Sequence, residues 1–212
     1  MSGVKVWDFW AGKYDRLWVQ KYSLSPTRRD IIKEIKKLIK EDSTYHILDM
    51  GCGIGQLIRE LQAECKDYDM KYTGVDISPK MIALAKEMDD SSVYYNSSVD
   101  DFNAGDNHFD IIVCSHSFPY YPNKEAAIDK FHSLLKPEGH VFLAQASANS
   151  FYDHIAMFFV KFTTGSAKYL SIKKIQELTA NKFGVIKIQQ IKEKYYMPSI
   201  CLFVLKKDGM QE

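Results

Sequence analysis

The stretch YHILDMGCGIGQL, residues 45–57, decides the fold. An apolar run with strand character meets an acid, Asp49, and then three glycines at alternate positions, Gly51, Gly53 and Gly55. The residues that follow, GQLIRELQAEC (55–65), carry apolar side chains at helical spacing. A strand that turns through glycines into a helix is the opening unit of an open α/β sheet, and such sheets bind ligands at the carboxyl ends of their strands. Glycine at that turn adopts dihedrals closed to other residues and lets a ligand approach the backbone. The helix N-terminus adds amide donors.

Strands and helices alternate outward from this unit. KYTGVDI (71–77), SVYYNSS (92–98), FDIIVCS (109–115) and HVFLAQAS (140–147) read as strands. SPKMIALAKEM (78–88) reads as a helix capped by Ser78, and KEAAIDKFHSLL (124–135) as a helix stopped by Pro137 and Gly139. Alternation at these lengths predicts right-handed crossovers, and so a mostly parallel sheet with helices on both faces. Two helices come first, over 6–22 and 25–42, the second opening with Ser25 as N-cap and Pro26 at its first position. After residue 148 a helical insertion (150–162) and a helix (171–183) precede two β patterns, 184–196 and 199–207, with no helix between them. That tail predicts an antiparallel hairpin at the sheet edge. The expected organisation is one domain over 1–212. It comprises a helical cap (1–42), a cofactor-binding core (45–147), an insertion forming an acceptor wall (148–183) and the hairpin (184–207).

Composition restricts function. The 212 residues are 46% hydrophobic and carry 28 basic against 27 acidic side chains. A net charge near zero gives no whole-chain field for nucleic acid or membrane, and IIKEIKKLIKED (31–42) reads as the wet face of an amphipathic helix. No run approaches the ~18–20 apolar residues of a membrane span, and no leader-like segment opens the chain. Four scattered cysteines without metal-ligand spacing read as reduced thiols. A cytoplasmic protein with no metal, no nucleic-acid partner and no membrane partner is expected.

The ligand follows from what the loop lacks. Gln56 stands where a dinucleotide fingerprint needs its third glycine, and no lysine follows as in a phosphate cradle. Asp49 would repel a pyrophosphate and suits a cation instead. Asp76, at the tip of the second strand, suits a ribose diol. A nucleotide-dependent oxidoreductase therefore fits less well than an enzyme whose nucleotide carries a positive charge.

Four segments in order, ILDMGCGIG, GVDIS, FDIIVCS and LLKPEGHVFLAQ, resemble the class I S-adenosylmethionine-dependent methyltransferases. The resemblance implies a Rossmann-like seven-stranded sheet in the order 3-2-1-4-5-7-6, with S-adenosyl-L-methionine as cofactor. It implies that Asp49 and the backbone at Gly51, Cys52 and Gly53 hold the methionine part, that Gly55 also belongs to the cofactor-binding loop, and that Asp76 takes the ribose. Ile77 and Met81 would flank the adenine. Ser98 and Val99 fall where relatives carry an acid and a backbone contact to that base, so Ser98 is a departure from the pattern. Cys114, near the end of the fourth strand, is expected among the cofactor-binding residues. Tyr14, in KYDRLW, is similar to a tyrosine that reaches the donor's carboxylate in relatives with such an N-terminal helix; it also reads as lid packing.

Methyl transfer from a sulfonium is an in-line displacement that positioning alone can accelerate. The loop after the fourth strand, HSFPYYPN (116–123), is where the acceptor belongs, and His116 is its candidate base. The aromatic residues Trp7, Trp10 and Trp18, with Phe151, Tyr152, Phe158, Phe159 and Phe162, predict a small, apolar or planar acceptor under a helical lid. A non-catalytic donor-binding module and an RNA methyltransferase are the alternatives. The sequence carries no signal for the oligomeric state.

Overall fold

The computed structural model describes residues 3–12, 20–106, 108–147, 167–192 and 199–207. The first helix, α1 (Gly3–Trp10), is followed by a π-helical turn (Gln20–Leu24) that runs directly into α2 (Ser25–Ile35). Seven strands follow: β1 (Thr44–Met50), β2 (Asp69–Asp76), β3 (Val93–Asn96), β4 (Phe109–Ser115), β5 (Leu135–Ala146), β6 (Phe183–Ile191) and β7 (Ile200–Lys207). The helices between them are α3 (Gln56–Glu64), α4 (Pro79–Met88), α5 (Lys124–Leu134) and α6 (Ile172–Thr179). The sheet order is β3-β2-β1-β4-β5-β7-β6, as the resemblance implied. Strands β1 to β5 pair in parallel, and β7 lies antiparallel between β5 and β6.

Strict alternation along the strands builds two cores. Ile47, Ile111, Val113, Phe142 and Leu202 face α2, α3 and α4, meeting Ile31, Ile35, Ile58, Leu61 and Ile82. Leu48, Met50, Ile112, Cys114, Leu143 and Phe203 face α5 and α6, meeting Ile128, Phe131 and Ile175. Each such buried side chain contributes roughly 1.5–3 kcal/mol. Asp49 sits between Leu48 and Met50, so its side chain leaves β1 toward α2 and α3. That parity sets the chemistry described below.

The structure corrects two local readings. Ser25 is the first residue of α2 and caps nothing, because the π-turn already continues the helix through Leu24. Ser78 does cap α4, accepting from the Met81 amide at 3.2 Å. Helix α5 stops at Leu134 and the chain enters β5 at once. Pro137 and Gly139 therefore lie in the strand, beside a register shift between Phe109 and Ile111, where a strand tolerates proline. The expected insertion over 150–162, with Phe151, Tyr152, Phe158, Phe159 and Phe162, lies outside the described residues, as does Trp18.

Candidate active site

The glycine loop is a tight connection tied to the neighbouring strand. The amides of Gly51 and Cys52 both donate to the Val75 carbonyl, at 2.7 and 3.0 Å, and the Gly55 amide donates to Cys52 O at 2.9 Å. All three glycines have positive φ: 88° at Gly51, 54° at Gly53 and 74° at Gly55. At Gly51 a Cβ would also collide with the Ser117 side chain. Cys52 is buried, its thiol facing Gly53 O at 3.6 Å.

Asp49 is 3% exposed, and no described residue donates a hydrogen bond to its carboxylate. Burial and the repulsion of Asp76 push its pKa up from 3.8 to about 7, against the pull of the Arg28 guanidinium. Arg28 does not pair with it directly. Its Nε donates to both oxygens of Glu60 at 2.9 Å, and its Nη1 donates to Gln20 and Gln56 at 3.0 and 3.3 Å. Asp49 is thus a buried carboxylate beside, not within, a satisfied ionic network. Arg28, Gln56, Leu24, Leu57, Ser115, Gly51 and Cys52 line the small cavity onto which Asp49 opens, about 40 Å³ in volume.

Asp76 closes the other side of the loop. Its Oδ2 accepts from the Gly53 amide and its Oδ1 from the Ser78 amide, both at 2.9 Å. A carboxylate offers about four lone-pair sites, so two remain for a ribose diol. Helix α1 lies over this end: Ser78 Oγ donates to Asp8 at 2.6 Å. Met81 is buried with Ala11 and Ile54, against Trp7, whereas Ile77 is 46% exposed beside the site. Trp7 also packs edge-on against Tyr120, 5.0 Å between ring centres. The lid helix therefore spans from the tip of β2 to the loop after β4. The small cavity at Asp49 is walled instead by α2, the glycine loop, the start of α3 and Ser115.

Past β3, Ser98 donates to Asp101 Oδ2 at 2.6 Å and accepts from the Asp101 amide at 3.1 Å. Val99 is buried in the core. The turn thus places a carboxylate next to Ser98, where the sequence pattern lacked one.

The loop after β4 is built around a strained residue. His116 has φ 61°, a left-handed conformation that costs a non-glycine residue on the order of 1 kcal/mol and clusters at functional sites. Its backbone amide donates to Ala144 O on β5 at 2.7 Å, and its Nε2 lies 3.1 Å from Thr27 Oγ1 on α2. Burial, then the nearby Arg28 charge, lowers its pKa to about 4, so the ring is neutral at physiological pH. Ser117 and Tyr121 both donate to the Met50 carbonyl, at 2.7 and 3.2 Å, and Cys114 Sγ sits 3.1 Å from Ser117 Oγ. Burial raises the Cys114 thiol to about 11, which keeps it protonated. These contacts lock the glycine loop and the acceptor loop together.

The structure brings Asp49, Gly51, Cys52, Gly53, Gly55, Asp76 and Ile77 to one end of the sheet, with Ser98, Cys114 and His116 at the tips of the adjoining strands. Tyr14 lies outside the described residues. Arg28, Thr27, Ser117 and Tyr121 lie beside these residues and were not singled out in the sequence, whereas Gln56, noted there only for the glycine it replaces, hydrogen-bonds Arg28 at the cavity wall. For the two on α2 a signal existed. Positions 27, 28, 31, 32 and 35 share one helical face, and Thr27 and Arg28 are the polar residues on that apolar stripe.

The donor set fits S-adenosylmethionine. An unpaired buried carboxylate suits its cationic methionine part, and a half-satisfied one suits its sugar. Comparison with known proteins agrees. The methyltransferase domain family matches residues 24–184. The 2-methyl-6-phytyl-1,4-hydroquinone methyltransferase of Synechocystis sp. is 34% identical over 101 residues, 46% of this chain and 31% of that one. The ubiquinone biosynthesis O-methyltransferase of Coxiella burnetii is 30% identical over 148 residues, 67% of this chain and 58% of that one. The chain thus spans 31% and 58% of the lengths of these two relatives. Among solved structures, the N-methyltransferase NodS of Bradyrhizobium japonicum with S-adenosyl-l-homocysteine superimposes with a TM-score of 0.73 at 15% identity, covering 98% and 99% of the two chains. A chain from the complex of the Haloferax volcanii Trm112 methyltransferase activator with a methyltransferase gives 0.78 at 15% identity, covering 95% and 97%. This chain belongs to the methyltransferase domain family and shares the fold of solved S-adenosylmethionine-dependent methyltransferases.

Proposed function

We propose that this chain transfers a methyl group from S-adenosylmethionine to a small planar acceptor of the hydroquinone or catechol class. The observation that carries the donor half is Asp49, a buried carboxylate with no hydrogen-bond partner among the described residues, two residues before the glycine loop. The bound donor supplies a methyl group on a sulfonium, an electrophile that needs no further activation. Asp49 neutralises the cationic methionine end, and the backbone at Gly51 and Gly53 lets that end approach. Asp76 holds the ribose diol with its two remaining acceptor sites. Asp101, presented by Ser98, supplies the carboxylate that meets the adenine amino group, and Ile77 packs on the ring. His116 takes the acceptor's proton: its ring is neutral throughout the physiological range, and its backbone is pinned by Ala144 O. The acceptor class is supported by the quinone-pathway names of the sequence relatives and by the aromatic lid formed by Trp7 and Tyr120.

Calorimetry tests the donor half. S-adenosylmethionine and S-adenosylhomocysteine should bind and NAD should not. Asp76→Ala should weaken both by tenfold or more, the loss of about two charge-assisted hydrogen bonds. No measurable affinity of the wild-type protein for either ligand refutes the reading. Incubation with the donor and a panel of hydroquinones, catechols, amines and thiols tests the acceptor half. Methylation confined to amines or thiols refutes the acceptor class.

A further inference from the structure

We propose that Thr27, on the cap helix α2, is a positioning residue that fixes which nitrogen of His116 is free to take a proton. The inference rests on the reading of His116 as proton acceptor and goes beyond it to a residue in a different element. Thr27 is fully buried, and its hydroxyl donates to the Ser23 carbonyl at 2.7 Å, one helical turn back. A hydroxyl has one proton to give. With that proton committed to Ser23, Thr27 Oγ1 can only accept from His116 Nε2, 3.1 Å away. Nε2 therefore carries the ring proton, and Nδ1 is left with the lone pair. Among the described residues no donor meets Nδ1. The chain from Ser23 through Thr27 to His116 thus does for this ring what a third group does wherever a base must be oriented: it selects the tautomer and the ring plane.

The backbone around His116 supports a designed placement. His116 leaves β4 in a left-handed conformation, φ 61°, its ring meets Thr27 on α2 at 3.1 Å, and the amide bond to Ala144 O holds the backbone there. In the reaction, Nδ1 accepts the proton of the acceptor's hydroxyl while the oxygen lone pair forms the bond to the methyl carbon and the carbon–sulfur pair returns to sulfur. The proton then leaves the imidazolium to solvent.

The charged group facing this pair is Arg28, the next residue of α2, which is held away by its fork to Glu60. A second consequence is that α2 is part of the reaction centre and not only a cap. The Ser23 carbonyl lies four residues before Thr27, at the ordinary helical spacing for a threonine hydroxyl to bond back to the preceding turn.

The test reads the ring directly and needs no acceptor. In protein labelled with ¹⁵N-histidine, the His116 signals are assigned by their loss in His116→Asn. The wild type should show Nε2 protonated and Nδ1 bare. Thr27→Ser keeps the hydroxyl and should show the same pattern. Thr27→Val keeps the shape and removes the hydroxyl, and it should show a mixture with protonated Nδ1. A wild-type ring protonated at Nδ1 overturns the proposal, and so does an unchanged pattern in Thr27→Val. With 2-methylhydroquinone as probe acceptor, Thr27→Val should lose about tenfold or more in turnover and Thr27→Ser should restore it. Calorimetric affinity for S-adenosylhomocysteine should stay the same in both variants. Wild-type turnover retained by Thr27→Val overturns the positioning role. If the wild type does not methylate the probe, the acceptor class proposed above fails, while the ring signals still decide the tautomer.

Discussion

Replacing Asp49 by Asn should make the protein more stable and useless as a donor binder. A folded-state pKa near 7 against 3.8 for the free side chain means that the native state holds a proton which the unfolded chain releases. Stability from this group is fully present below about pH 4 and is lost as pH rises to about 7. The rise, at about 1.4 kcal/mol per pH unit, corresponds to about 4 kcal/mol of destabilisation at pH 8. Asn removes the charge but leaves a buried amide with no partner, costing about 1–2 kcal/mol. The net expectation is a variant about 2 kcal/mol more stable than wild type at pH 8, the advantage vanishing near pH 4–5. Urea unfolding of both proteins at pH 5, 6.5 and 8 measures it, because the difference between the two cancels every other titrating group to first order. A variant no more stable than wild type at pH 8, or a gap that does not change with pH, refutes the account of Asp49 as an unpaired buried charge. The functional side is read in the same samples: S-adenosylhomocysteine should raise the wild-type melting temperature and leave that of Asp49→Asn unmoved. The residue thus trades stability for ligand binding.

Gly51→Ala should abolish donor binding and cost roughly 1–3 kcal/mol in urea unfolding, since φ is 88° and the added methyl meets Ser117. Turnover between pH 5 and 8 should show no inflection from His116, whose ring gains its proton only below about pH 4; an inflection near 6.5 that disappears in His116→Asn contradicts the burial argument. Trp7→Ala removes the edge contact to Tyr120 and frees one end of α1. Stopped-flow binding of S-adenosylhomocysteine should then be faster in both directions, and unchanged rates would show that α1 does not gate the cleft.

Much of this protein is legible in one dimension because its signals are local. The glycine trio, the two acids at strand tips and the alternation of strand and helix each rest on backbone geometry that a few consecutive residues determine. Ser78 before Pro79 marked the α4 cap correctly for the same reason, its partner being three residues away. Ser25 before Pro26 looked identical and was not a cap, because a π-turn whose helical course the local pattern does not reveal already occupied the position. The start of β5 was likewise misjudged. Leu135 enters the strand because β4 offers it a partner in Phe109, and a pairing between residues 26 apart leaves no mark in either segment.

From the sequence alone came the order of elements, the donor class and the two acids at the strand tips. Only the tertiary structure decided what state those acids are in and which residues join them. Asp49 is a buried carboxyl with no hydrogen-bond partner among the described residues because parity on β1 turns it toward α2, where Arg28 is already taken by Glu60. His116 is a neutral ring because burial and the Arg28 charge disfavour its cation, and the tautomer proposed for it follows from Thr27, 89 residues away, whose own proton goes to Ser23. Local sequence governs backbone conformation, whereas electrostatics and proton positions depend on groups that meet only when the chain has closed on itself.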